Sequence, residues 1–80
     1  MTHKEQRKLH AAITAKYLEG KTLQEFGDAI GRMPQEVHHW KVALQSPPAV
    51  LLYKLSLSST ADEWVVSWAE ECLKVYLEEN

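Results

Sequence analysis

Eighty residues with a formal charge of −2 allow one domain at most, and a core this small needs tidy helix packing or a second copy. A single cysteine excludes an internal disulfide framework and fits a reducing, cytoplasmic setting. No apolar run approaches the roughly 18 residues of a membrane helix, and the polar stretch from Met1 to Leu9 lacks the apolar segment of a signal peptide.

The first helix is expected over residues 2–19. Thr2 and Glu5 have the spacing of a capping box, Leu9, Ala12, Ile13 and Tyr17 recur at helical spacing as one apolar face, and Gly20 ends the run. Residues 22–41 then read as two short helices about a tight turn, with helices expected at 23–30 and 34–44. Thr22 and Glu25 form a second capping box. Phe26 and Ile30 share a face. Gly31 supplies a left-handed stop, and Pro34 suits the first turn of the next helix. Val37 and Trp40 face inwards, while Gln35, Glu36, His38, His39 and Lys41 project outwards. Two crossed helices with a polar second helix are the geometry that places a recognition helix in a DNA major groove.

Ser46-Pro47-Pro48 stops the third helix. Residues 49–57 fit either a short helix or a strand; the helix is preferred, because a lone strand has no partner here. Thr60 and Glu63 form a third capping box ahead of a helix over 61–78. Its apolar residues span roughly 220° of the helical wheel, which is more than one face. Trp64, Val65, Trp68, Cys72 and Val75 are therefore assigned to a homodimer interface, four of them at coiled-coil-like spacing.

The stretch 22–41 resembles the helix-turn-helix of the Cro and lambda-repressor family of phage and plasmid regulators. Gly27 stands where that pattern has a small residue four before the turn glycine, Val37 and Trp40 stand at its apolar positions, and Pro34 matches a common proline. Arg32 and Met33 depart from it, where the family has an apolar residue and a Ser or Thr cap. The resemblance implies an all-α, five-helix lambda-repressor-like domain. It implies base contacts from Met33, Pro34, Gln35, His38 and His39, since Gln can pair with adenine and imidazoles with base edges. Lys16, Lys21, Thr22, Gln24, Arg32 and Lys41 are candidates for the DNA backbone. Protonation of His38 and His39 near neutral pH would add positive charge and make affinity pH-dependent.

Charge is unevenly spread. Residues 1–54 carry eight cations against five anions, and residues 55–80 carry Lys74 against six anions, including Glu78 and Glu79. A cationic body could draw phosphate while an acidic tail points away. The expected function is sequence-specific transcription control by a dimeric Cro-like repressor on an inverted-repeat operator. The alternative is a protein-interaction module or antitoxin acting through the acidic, Trp-rich last helix. No cofactor and no metal site are expected: His38 and His39 are adjacent and point about 100° apart, and no spaced Cys/His set is present. No nucleophile motif or phosphate loop suggests an enzyme.

Overall fold

A computed structural model describes residues 1–78; Glu79 of the acidic tail lies outside them. Among the described residues there are five helices and no strand: α1 His3–Leu18, α2 Leu23–Ile30, α3 Pro34–Lys41, α4 Ala49–Ser56 and α5 Glu63–Leu77. The segment that fitted helix or strand is α4.

Two of the three expected capping boxes form. Thr2 Oγ1 accepts from the Glu5 N–H at 3.1 Å, and Thr22 Oγ1 accepts from the Glu25 N–H at 3.0 Å. The glutamates close both boxes by accepting from the threonine N–H groups, which holds both carboxyls below their usual range. The third box does not form. Ser58 Oγ instead accepts from the N–H groups of Thr60 at 3.2 Å and Ala61 at 3.0 Å, and α5 starts only at Glu63, behind Asp62. The Thr60 hydroxyl itself lies 3.3 Å from Ser58 Oγ, so it is engaged within the loop rather than at the Glu63 N–H.

α3 is shorter than expected, stopping at Lys41 rather than 44. The Leu44 N–H donates to the His39 carbonyl at 2.9 Å and the Ala43 N–H to the Trp40 carbonyl at 3.2 Å. That pair is the Schellman termination, and it sets Ala43 left-handed with φ at +62°.

The buried face of α1 only partly matches the apolar one read from spacing: Ile13 and Tyr17 are half-buried against the core, at the edge of a more deeply buried row. Gln6, His10, Thr14 and Leu18 are buried, while Leu9 is 43% exposed and Ala12 is exposed. The helix is turned by roughly one residue, about 100°, because polar side chains with partners occupy its inner face. His10 Nε2 donates to the Cys72 carbonyl at 2.9 Å, Nδ1 meets Ser46 Oγ at 2.9 Å, and Thr14 Oγ1 accepts from Trp68 Nε1 at 3.1 Å.

α5 lies against both α4 and α1. Trp68 is fully buried, stacked on Trp40 at 5.7 Å and edge-on to Phe26 at 5.1 Å. This position explains the wide apolar arc of the helix and corrects the assigned dimer interface. Val65, Trp68, Cys72 and Val75 are core residues of one protomer, and Trp64 is half-buried against Phe26 and Lys21. The buried Cys72 thiol is pushed far up by desolvation, as befits a small core residue.

Candidate nucleic-acid interface

The two short helices α2 and α3 are set by one close approach. A Cβ built on Gly27 would lie 2.5 Å from the Arg32 carbonyl oxygen, so only glycine lets the turn fold back against α2. The turn follows from it. Gly31 is left-handed with φ at +71°, and the N–H groups of Gly31 and Arg32 both donate to the Gly27 carbonyl. Pro34 opens α3 where its missing N–H costs nothing, and no side chain caps the helix at Met33. Phe26, Ile30, Val37 and Trp40 are all buried. Trp40 is thus a core residue, as its position in the sequence pattern implies.

With Val37 and Trp40 turned in, the opposite face of α3 is open. Met33, Gln35, His38 and Lys41 are exposed, and Pro34, Glu36 and His39 are half-buried. All five residues assigned to base contacts therefore share the solvent side of one helix and its first turn. They are partly organised already. Gln35 Nε2 lies 3.2 Å from His39 Nε2, one helical turn on. The His38 and His39 rings stand 6.3 Å apart and tilted by 49°, and no cluster that could hold a metal ion occurs among the described residues. Met33 offers an apolar tip that is 66% exposed.

The assigned backbone-contact residues are less uniform. Lys41 is exposed, and no ion pair among the described residues holds it. Arg32 bonds Glu36 at 3.1 Å, one turn along α3. Lys16 reaches Glu71 on α5 at 3.1 Å. Glu71 also accepts from the Tyr17 hydroxyl; that bond lowers the carboxyl and pushes the phenol up to about 12. Lys21 donates to the Tyr17 carbonyl and sits 4.4 Å over the Trp64 ring. Thr22 is occupied by its cap, and Gln24 donates to Asp28 at 2.8 Å. Exposed ion pairs of this kind contribute little, so Lys16 and Arg32 are only weakly held by Glu71 and Glu36.

One group escaped the sequence reading. Gln6 and Arg7 of α1 face Leu44, Gln45 and Ser46 across a groove beside the end of α3. Nothing in the spacing of α1 marks it, since the inner face of that helix is polar. Comparison with protein-family models, with curated proteins and with solved structures returned no match.

Proposed function

We propose that the chain is a sequence-specific DNA-binding regulator of transcription, with α2 and α3 as a helix-turn-helix of the lambda-repressor-like kind and α3 as the recognition helix. The observation that carries this reading is the division of α3: its apolar residues Val37 and Trp40 are buried, while Met33, Gln35, His38 and Lys41 stand together in solvent. An ordinary surface helix also has a polar face. This one lies against a partner helix at a glycine that admits no Cβ, and it presents an amide and two imidazoles suited to base edges. Gln35 would pair with adenine, His38 and His39 with purine acceptors, and Met33 with a thymine methyl.

The test is selection of duplexes from a random pool at about physiological salt, where nonspecific binding is damped. Enriched sequences are expected to weaken by about 1–3 kcal/mol when Gln35→Ala removes its contact. Failure of the folded chain to enrich any sequence sinks the reading.

Two copies on an inverted repeat are part of this proposal, and the buried Val65–Trp68–Cys72–Val75 stripe moves their contact elsewhere. Val50 and Tyr53 of α4 and Leu57 at its C-cap are exposed apolar residues at helical spacing, and Leu57 lines one groove with Leu73 and Leu77 of α5. Glu70 and Lys74 lie in the same groove. A two-fold axis there would set each Glu70 against the other copy's Lys74, and such self-complementarity is what an isologous contact needs. Sedimentation of the Tyr53→Glu, Leu57→Glu double variant is expected to show a monomer where the unaltered chain shows a dimer. Equal masses for the two would remove the dimer from the proposal.

A further inference from the structure

The groove between α1 and the loop after α3 has a composition unlike the rest of the surface. His3, Gln6, Arg7, Leu44, Gln45 and Ser46 line it, and none is a carboxylate, in a chain whose acidic residues outnumber its lysines and arginines by eleven to nine. Lys4 lies exposed three residues from Arg7, on the same side of α1.

Gln6 is the anomaly within it. The residue is only 6% exposed, yet its side-chain amide makes no hydrogen bond among the described residues. No side-chain nitrogen or oxygen among them is sealed from solvent without a partner. The Gln6 amide must therefore reach solvent, and the groove it lines is where it does so. A buried glutamine whose amide opens onto this groove is a donor and acceptor that any ligand entering the groove must satisfy, because an amide that loses its water without gaining a partner is costly.

Arg7 is positioned alongside. Its Nε donates to the Ala43 carbonyl at 3.2 Å, which fixes the guanidinium and leaves the terminal nitrogens as a fork of donors. The opposite wall is tied to α3 itself, since the N–H groups of Leu44 and Gln45 both donate to the His39 carbonyl. A recognition helix lying in the major groove is flanked by the sugar–phosphate strands, and the loop that follows α3, which carries one wall of this groove, would lie beside one of them.

The geometry points to a phosphate-binding notch formed by Gln6 and Arg7 of α1 with Gln45 of the loop. It takes one backbone phosphate of the duplex that α3 reads. This inference rests on the DNA-binding reading for the source of the phosphate, but not for the notch itself. The notch supplies affinity without sequence preference, because a phosphate is the same beneath every base.

Two variants of the full chain, checked for helicity, test it on a duplex enriched by selection and on a scrambled one. Arg7→Gln is expected to weaken both duplexes alike, by about tenfold, and to lower the slope of log affinity against log salt by about 0.9. Gln6→Met keeps the buried volume and removes the amide. It is expected to weaken both duplexes several-fold with an unchanged slope, since no charge is lost. Wild-type affinity and slope in both folded variants would overturn the notch and leave DNA binding standing. Should the unaltered chain bind no duplex, the DNA reading falls, and inorganic phosphate titrated against the side-chain amide resonance of Gln6 decides the notch. A shift that Arg7→Gln abolishes supports a site for free phosphate; no shift overturns it.

Discussion

Two seams run through this small fold, and they are held by different physics. Between α2 and α3 the contact is apolar and shaped: Phe26, Ile30, Val37 and Trp40 are buried, and the backbones approach at Gly27 too closely for a Cβ. Between α1 and α5 the contact is largely polar: His10 on the Cys72 carbonyl, Thr14 on Trp68 Nε1, and Lys16 and Tyr17 on Glu71. The first seam tolerates no extra volume and the second no missing partner. The difference explains why the face proposed to read DNA can be so polar. α3 is fixed from behind by shape alone, so none of its outward side chains is needed to hold it.

Trp68 belongs to both seams, stacking on Trp40 and meeting Phe26 edge-on while donating to Thr14. Trp68→Ala is the change that breaks both at once. It should cost about 3–5 kcal/mol from the lost burial, with a further penalty for the stranded Thr14 hydroxyl. In a domain of this size that removes most of the stability, and thermal unfolding followed by circular dichroism should show no cooperative transition. A shift of only a few degrees would mean that the ring is not the common centre of the two seams.

Gly27→Ala isolates the shaped seam. The added methyl carbon would lie 2.5 Å from the Arg32 oxygen, a backbone atom that cannot swing aside. The expected loss is about 1–3 kcal/mol, against the roughly 1 kcal/mol that alanine gains over glycine within a helix. Gly31→Ala is the control. Its Cβ would meet nothing within 4 Å, so only the left-handed φ of +71° opposes it, at about 1 kcal/mol. If urea titrations rank the two the other way round, crowding at Gly27 does not set the angle of the helix pair.

These two positions also mark what the sequence makes visible. Gly27 and Gly31 stand out because a glycine at a fixed offset has a geometric cause, and the apolar positions Phe26, Ile30, Val37 and Trp40 sort themselves by helical spacing. The polar seam has no such signature. His10 and Thr14 on α1 look like surface residues until Cys72, Ser46 and Trp68, up to 62 positions away, supply their partners, and Gln6 beside them is buried with no side-chain partner among the described residues. The apolar pattern of Leu9, Ala12, Ile13 and Tyr17 is therefore only half right: Ile13 and Tyr17 border the core, while Leu9 and Ala12 face solvent. The same blindness turned Val65, Trp68, Cys72 and Val75 into an imagined interface, because one chain's worth of spacing does not say that α5 is covered from two sides. The groove at Gln6 and Arg7 is illegible for the same reason: Arg7 and Gln45 on its two walls are 38 residues apart and share no motif.

His10 sharpens the contrast by making the polar seam respond to pH. Burial holds its imidazole below the ordinary 6.5, against a smaller upward pull from the Cys72 carbonyl. The unfolded chain then takes up a proton more readily than the folded one. The stability from neutral His10 is fully present above about pH 6.5, the unfolded value, and is lost as pH falls from there towards the lower folded value. Chemical denaturation repeated down through that window should show the decline. His10→Leu should cost about 1–3 kcal/mol at pH 7 by leaving the Ser46 hydroxyl and the Cys72 carbonyl short of a partner, and its decline with acid should be shallower. A slope as steep as that of the unaltered chain would place the titration elsewhere.

The smallest effect is expected where the two seams touch. Ala43 takes its left-handed φ of +62° because the Schellman bonds from Ala43 to Trp40 and from Leu44 to His39 demand it, and Arg7 of α1 clasps its carbonyl. An L-residue in that conformation carries about 1–2 kcal/mol of strain. Glycine would release it, while gaining freedom in the unfolded chain worth about 0.4–1 kcal/mol. Ala43→Gly should therefore stabilise the domain by about 0.5–1 kcal/mol, a rise of a few degrees in Tm for a chain of this length. The sign is what matters. A gain means that the Arg7 bond and the two turn bonds hold the loop against strain, so the wall of the Gln6–Arg7 groove is set by hydrogen bonding. A loss would mean that the half-buried methyl of Ala43 packs well enough to outweigh the strain, and the end of α3 would then belong with the shaped seam.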